Sequence, residues 1–203
     1  MIRLQGLGLL LLAAITFAGC QRGFDPRFGR GEEYLGGFRP PGEQHGRAPH
    51  DDVSYWDGDA ASGSPSVRIS LNEQRAYFYK GGELVGVSTI STGREGFDTP
   101  TGSFRILDKH QDHVSSIYGD YVDAVTGEPV QKDVDSRKDP KPRGAKYDGA
   151  RMPYFMRFTG GVGMHEGFLP GYAASHGCIR MPGFMAERFF ANVSAGTPVT
   201  VTP

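Results

Sequence analysis

The sequence predicts a mainly β fold that carries one short α-helix near its C-terminus. Val67 to Leu71 alternates apolar and polar residues, as half-buried strands do. Gly81-Gly82 separates two β-prone runs, Arg75 to Tyr79 and Leu84 to Ile90, which is typical of a hairpin. Residues 185, 189 and 193 are apolar and have the spacing of one helical face.

The remaining elements follow the same patterns. We expect further strands at Ser103 to Leu107, Tyr154 to Phe158 and Thr197 to Val201. The helix is predicted over residues 182–193. Pro182 suits its start, because N–H groups of the first turn have no partner within a helix, and Gly196 fits just past its end.

The folded domain is predicted to span residues 66–203, preceded by a tether over residues 20–65. The tether is rich in glycine, proline and mixed charges and has few apolar residues, so it cannot offset its ordering entropy. A flexible chain of this length has ends about 35–40 Å apart on average. His45 and His50 lie in it and are expected to be solvated. The net charge of −1 does not indicate the excess of basic residues that nucleic-acid binding requires.

Residues 1–19 have the layout of a secretory signal peptide. Arg3 precedes an apolar run from Leu7 to Ala18, which is too short for a comfortable membrane span. Phe17-Ala18-Gly19-Cys20 resembles a bacterial lipoprotein box and predicts a lipid on Cys20. The alternative is a chance cysteine in an ordinary signal, because Phe17 departs from the usual aliphatic residue. We expect no disulfide between Cys20 and Cys178.

A charged stretch interrupts the strand pattern between residues 119 and 150. From Gln131 to Lys146 it shows no apolar periodicity, which predicts a long loop, either a lid or a surface insertion. His110 and His113 precede it. Without a clear third ligand they favour a surface or substrate-groove role over a metal site.

The most reactive window of the chain is Ser175 to Met181, which combines a thiol, an imidazole, a glycine and a guanidinium. A cysteine is nucleophilic as its thiolate, so it needs a nearby base or a positive environment. His165, at the end of a predicted short strand, and His176 can supply either. Because Cys178 just precedes the predicted helix, free N–H groups of the first turn could favour a thiolate or hold an oxyanion.

This pattern resembles the L,D-transpeptidases of bacterial cell-wall synthesis, which have an upstream histidine followed by Ser/Thr-His-Gly-Cys. The resemblance extends from Val67 to Val201 and includes Gln74-Arg75-Ala76-Tyr77, Ser91-Thr92-Gly93, Thr99-Pro100-Thr101-Gly102-Ser103-Phe104 and Gly196-Thr197-Pro198-Val199. It implies a β-sandwich with a short helix after the catalytic cysteine, Cys178 as nucleophile, His165 as base, and inhibition by carbapenem β-lactams.

The resemblance also assigns supporting roles around the cysteine. Gly177 and Cys178 are expected to present backbone N–H groups to an oxyanion, and His176 to orient the site. Ser175 is expected to contact substrate. Arg180 offers a planar fork that can bind a carboxylate of the substrate.

Two further residues are candidates with open roles. The family orients its base through a nearby main-chain carbonyl, so Glu166 is expected to act on His165 through its backbone or its side chain. Tyr154 can contact substrate and donate its hydroxyl to the oxyanion, or pack within its strand, and packing is favoured.

The implied reaction is acyl transfer. Cys178 would attack the third residue of a peptidoglycan stem tetrapeptide, release D-alanine and pass the acyl group to an amine. The acceptor stays open between a diaminopimelate of another stem, a lipoprotein lysine and a free D-amino acid. We expect a periplasmic monomer without cofactor or metal, whose partners are stem peptides and, through Cys20, a membrane, most simply the outer membrane.

Three alternatives compete with this interpretation. His165, His176 and Cys178 would ligate zinc if His110 or Glu166 completed a tetrahedral site. A papain-like protease is disfavoured because that family places its cysteine first and its histidine far downstream. A wall-binding lipoprotein without catalysis would need no aligned thiol and imidazole.

Overall fold

The computed structural model describes residues 51–203, which form two β-sheets and one helix. In chain order the elements are β1 (Tyr55–Trp56), β2 (Pro65–Ser70), β3 (Arg75–Lys80), β4 (Glu83–Thr89), β5 (Gly102–Arg105), β6 (Asp108–Asp123), β7 (Pro129–Asp135), β8 (Ala145–Thr159), β9 (Val162–Glu166), β10 (Ile179–Met181), α1 (Gly183–Asn192) and β11 (Pro198–Thr202). The predicted strands and helix are all present.

The two sheets share one hydrophobic core. The six-stranded sheet has the order β1-β4-β3-β2-β11-β5, and the five-stranded sheet has the order β10-β9-β8-β6-β7. Fully buried residues come from both sheets, such as Ile69 and Phe78 from one and Met156 and Met164 from the other, and Phe189 of α1 joins them. The predicted mainly β sandwich with a helix after Cys178 is confirmed.

The folded region begins earlier than the boundary predicted at residue 66. β1 pairs with β4, and the Trp56 ring lies 5.1 Å from Phe78 and 6.2 Å from Phe189. The Asp51 carboxylate accepts the Ser54 N–H at 2.8 Å and fixes the chain just before β1. The composition of residues 20–65 did not predict this contact with the core, because the contact depends largely on one residue, Trp56. The signal, Cys20, both tether histidines and the first part of the tether lie outside the described residues.

The prediction of a long loop over residues 119–150 is wrong. β6 continues to Asp123, β7 runs from Pro129 to Asp135, and β8 begins at Ala145, so these strands build a long antiparallel extension. Most of its side chains are exposed or only half-buried, so no apolar alternation marks the strands. Its small core consists of Tyr121, Val134 and Ala145.

A bulge in β6 carries four residues, 115–118, over the site described below. Val114 pairs with Arg151 and Gly119 with Gly149, so the four residues stand opposite one. The backbones approach closely here: a Cβ on Gly119 would lie 2.2 Å from the Asp148 carbonyl oxygen. A side chain at that position would therefore displace the bulge.

Within residues 51–203, no helix has the length and apolarity needed to cross a membrane.

Candidate active site

Two parallel strands place the predicted nucleophile and base. β10 pairs with β9 so that Arg180 stands beside His165, and Cys178 immediately precedes β10. The helix begins only at Gly183, after this strand. Cys178 therefore precedes the helix, as predicted, and β10 separates it from the first turn of α1.

The His165 imidazole is buried and held in one tautomer. Its exposed fraction is 3%, and Nδ1 lies 2.7 Å from the main-chain oxygen of Glu166. Because a carbonyl only accepts, Nδ1 carries the proton and Nε2 is left as an acceptor. Burial lowers the pKa of His165 to about 3, so the ring is neutral. The orienting contact with Glu166 is thus made by its backbone.

The Cys178 thiol is also neutral at rest. Burial raises its pKa, and the Gly163 backbone hydrogen bond and the nearby Arg180 guanidinium only partly oppose this. Its Sγ lies 3.7 Å from the Gly161 main-chain oxygen, at which the S–H is directed. Cys178 and His165 line the same cavity of about 430 Å³. The resting pair is thiol and imidazole, not thiolate and imidazolium.

A tight turn presents the thiol. Gly177 has φ +107°, a value that residues with a Cβ rarely adopt. Its N–H donates to Ser175 Oγ at 3.1 Å, its carbonyl accepts from Thr99 Oγ1 at 2.8 Å, and Ser175 Oγ in turn donates to the Cys178 carbonyl. Ser175 therefore shapes the turn. The oxyanion role expected of Gly177 would require its N–H to leave Ser175.

His176 is clamped by groups from outside its own segment. Its ring stacks on Tyr118 of the bulge at 4.3 Å and meets the edge of Phe97 at 4.4 Å. Arg94 Nη2 donates to His176 Nε2 at 2.9 Å, and Asp133 of β7 lies 3.5 Å from that nitrogen. Burial and the Arg94 charge lower the pKa of His176 to about 4. These contacts suit orientation of the turn better than proton transfer.

Arg180 and Tyr154 occupy different surroundings. Arg180 lines the cavity with an exposed fraction of 4%, and its side chain packs where a Cβ on Gly167 would stand. Burial lowers its pKa. Tyr154 packs its ring on Phe190 of α1 at 5.7 Å, and among the described residues the cavity lining includes neither Tyr154 nor Glu166. This is the packing role that the sequence favoured for Tyr154.

Comparison with known proteins agrees with this geometry. The family model of the YkuD L,D-transpeptidase catalytic domain matches residues 64–201. The chain belongs to this family. No curated protein matches it in sequence.

Solved L,D-transpeptidases share the fold. Those from Stackebrandtia nassauensis, Mycobacterium smegmatis and Xylanimonas cellulosilytica are 20%, 23% and 20% identical, with TM-scores of 0.50, 0.52 and 0.51. The matches cover 70%, 69% and 70% of this chain, and 57%, 59% and 62% of those chains. The chain therefore spans less than two thirds of the length of these L,D-transpeptidases.

Several residues of this site were not predicted from the sequence. Thr99 begins the Thr99 to Phe104 motif, but the motif alone does not predict its hydrogen bond to the Gly177 carbonyl. Arg94, Tyr118 and Asp133 reach His176 from three separate segments. A local pattern carries no signal for such contacts.

The histidine pair ahead of the bulge belongs to the cavity. His110 and His113 both line it, and their rings lie 5.9 Å apart. This placement agrees with the groove role that the sequence left open. Across residues 51–203 no three His, Cys, Asp or Glu side chains are grouped as a metal site would require, so the proposed zinc set is not assembled there.

Proposed function

We propose that this protein is an L,D-transpeptidase that cross-links or remodels peptidoglycan through an acyl-thioester. The observation that carries the proposal is the shared cavity of Cys178 and His165, together with the tautomer that the Glu166 carbonyl imposes. Family membership supports a cysteine-dependent acyltransferase. Such an enzyme needs a thiol, a base beside it and room for a peptide.

Acylation begins from the neutral pair. As Sγ attacks the carbonyl of the third stem residue, Nε2 of His165 takes the thiol proton, and the Cys178 N–H stabilises the oxyanion. The imidazolium then protonates the departing amine of D-alanine. The low pKa of His165 makes it a weak base but a strong acid, which favours this second transfer. Low dielectric also strengthens attraction between imidazolium and oxyanion.

Deacylation repeats these steps with an amine in place of the thiol. The acceptor nitrogen attacks the thioester carbon, gives a proton to His165 and displaces the Cys178 sulfur, which recovers its proton. Arg180 binds a carboxylate of the donor stem in this account, because it is the buried cation beside the base. Water competes as a side reaction.

The protein's location is a proposal that rests on its first twenty residues. A lipidated Cys20 would anchor the chain to a membrane, most simply the outer membrane facing the periplasm, where stem peptides lie within reach of the tether. Wild type should incorporate labelled fatty acid and partition with membranes, whereas Cys20→Ser should be soluble. A soluble wild type cut elsewhere in the signal would contradict the anchor. We expect the enzyme to act as a monomer.

The activity is tested with defined disaccharide tetrapeptides. Mass spectrometry should show D-alanine release, a tripeptide acyl group on the protein and a product joined to an added amine. A protein that binds the muropeptide yet releases no D-alanine would instead be a non-catalytic wall-binding lipoprotein.

A further inference from the structure

The cavity has a second charged end that the reaction above does not use. Asp108 at the start of β6 stands opposite Arg157 near the end of β8, and His110 and His113 follow along β6. All four side chains line the cavity that contains Cys178. None lies in the Ser-His-Gly-Cys segment or the strand of the base.

Arg157 is held firmly but not fully used. Nε donates to Asp108 at 2.9 Å, one Nη2 N–H also donates to Asp108, and Nη1 donates to the Gly160 carbonyl at 3.3 Å. A guanidinium has five N–H donors. Contacts within residues 51–203 therefore engage three of them and leave one on each terminal nitrogen. Two such N–H groups can bind a carboxylate bidentately.

The pair is open to a ligand. The Arg157 side chain is 40% exposed and the Asp108 side chain 32%. His110 Nε2 lies 3.4 Å from Asp108, and His113 stacks on Phe155 at 4.3 Å, so both imidazoles flank the same place. A carboxylate arriving at Arg157 would meet further hydrogen-bonding groups there.

A two-glycine turn connects this end to the nucleophile. The Gly160 carbonyl accepts from Arg157, and the next carbonyl, that of Gly161, lies beside the Cys178 thiol. Consecutive Cα atoms are about 3.8 Å apart. Arg157 and Cys178 therefore contact neighbouring carbonyls of one turn, which limits the separation of guanidinium and thiol to roughly 10 Å, a span within reach of an amino acid bound at Arg157.

We propose that Arg157, supported by Asp108 and flanked by His110 and His113, is the acceptor subsite, and that it selects an amine bearing an adjacent carboxylate. This inference rests on the proposed function. Arg157 binds the α-carboxylate, so the α-amine faces the thioester. Its nitrogen bonds to the acyl carbon, the carbon–sulfur bond breaks, and the amine proton passes through His165 to Sγ. A lysine ε-amine lacks the carboxylate and is disfavoured.

The test is a competition on the acyl-enzyme. Enzyme loaded with the tetrapeptide donor receives equal amounts of a D-amino acid and its amide, and mass spectrometry gives the product ratio. Wild type should prefer the free acid by about 10- to 100-fold, the size expected for hydrogen bonds to a charged group. Because the ratio is internal to each variant, differences in acylation cancel. Replacing the D-amino acid by a stem ending in a diamino acid, with or without its free carboxylate, distinguishes a stem acceptor from a free one.

Arg157→Gln should bring the ratio close to one. His110→Gln, which leaves the Asp108–Arg157 pair in place, should lower it by a smaller factor. Arg105→Gln is the matched control, because Arg105 is an exposed β5 arginine outside the cavity lining; it should keep the wild-type ratio. A wild type without preference, or an Arg157→Gln enzyme that keeps it, overturns the subsite. Failure of the proposed function is distinguishable, because wild type would then release no D-alanine.

Discussion

Two regions of unlike character border the Cys178 thiol. The floor is formed by β9 and β10, whose His165 and Arg180 are 3% and 4% exposed. The cover is formed by the bulge over residues 115–118 and by β7, and its Asp133 side chain is 36% exposed. The floor belongs to the shared core of the two sheets, whereas the cover belongs to an extension with a small core of its own.

The difference separates chemistry from access. A buried imidazole with a fixed tautomer needs little rearrangement during the reaction, and the sandwich core supplies that rigidity. The cover is attached to the catalytic turn through His176, by a ring stack and a partly exposed charge contact. Aromatic pairs contribute about 0.5–1.5 kcal/mol and exposed ion pairs about 0–1 kcal/mol. Single substitutions should therefore loosen the cover while the floor stays folded.

The largest effect is expected in the floor. Cys178→Ala and His165→Ala should each remove detectable product, a loss of about 10³-fold or more, because without the nucleophile the base has no proton to take. The double variant should be scarcely slower than either. D-alanine release measures this, and circular dichroism checks the fold. Additive losses would mean that the two residues serve separate steps.

Arg180→Lys should have the next largest effect. A lysine keeps the charge but cannot bind a carboxylate bidentately, so kcat/KM for the tetrapeptide should fall about 10- to 100-fold. Donors lacking the carboxylate should lose much less. If Arg180→Lys retains full kcat/KM, the residue does not bind the donor.

The floor was also the region that the sequence predicted well. Strand alternation marked β2 to β4, and the histidine and Ser-His-Gly-Cys pattern singled out Cys178 and His165, which line one cavity in the structure. The cover was missed because alternation fails where both faces of a strand meet water.

A smaller effect is expected where the cover meets the turn. Asp133→Asn removes a charge 3.8 Å from Arg94 and should slow acylation about two- to fivefold, the range of a partly exposed ion pair. His176→Ala should cost more than this but less than His165→Ala, because it removes the ring that Tyr118 and Phe97 contact. Asp59→Asn is the control, since Asp59 pairs with Arg188 outside the cavity lining. Equal rates for both aspartate variants would mean that the cover does not position the turn.

The buried histidine of the floor should also make the stability of the protein depend on pH. The pKa of His165 is about 3 in the folded state and near 6.5 in an unfolded chain, so below pH 6.5 the unfolded state binds the additional proton. The free energy of unfolding should fall by about 1.4 kcal/mol per pH unit from this group as the pH drops towards 4. His176 adds a similar fall down to about pH 4. Urea unfolding at several pH values gives the free energy of unfolding as a function of pH, and for His165→Gln this free energy should fall less steeply as the pH drops. If the fall is as steep as in wild type, His165 is already protonated in the folded protein.

The most direct test of the account is the covalent adduct at the nucleophile. Chelator-treated wild type is incubated with a carbapenem-type β-lactam and examined by intact mass and peptide mapping. One adduct is expected, mapped to Cys178, and none in Cys178→Ala. An adduct at another residue, or a Cys178→Ala protein that still releases D-alanine from the tetrapeptide, would contradict it.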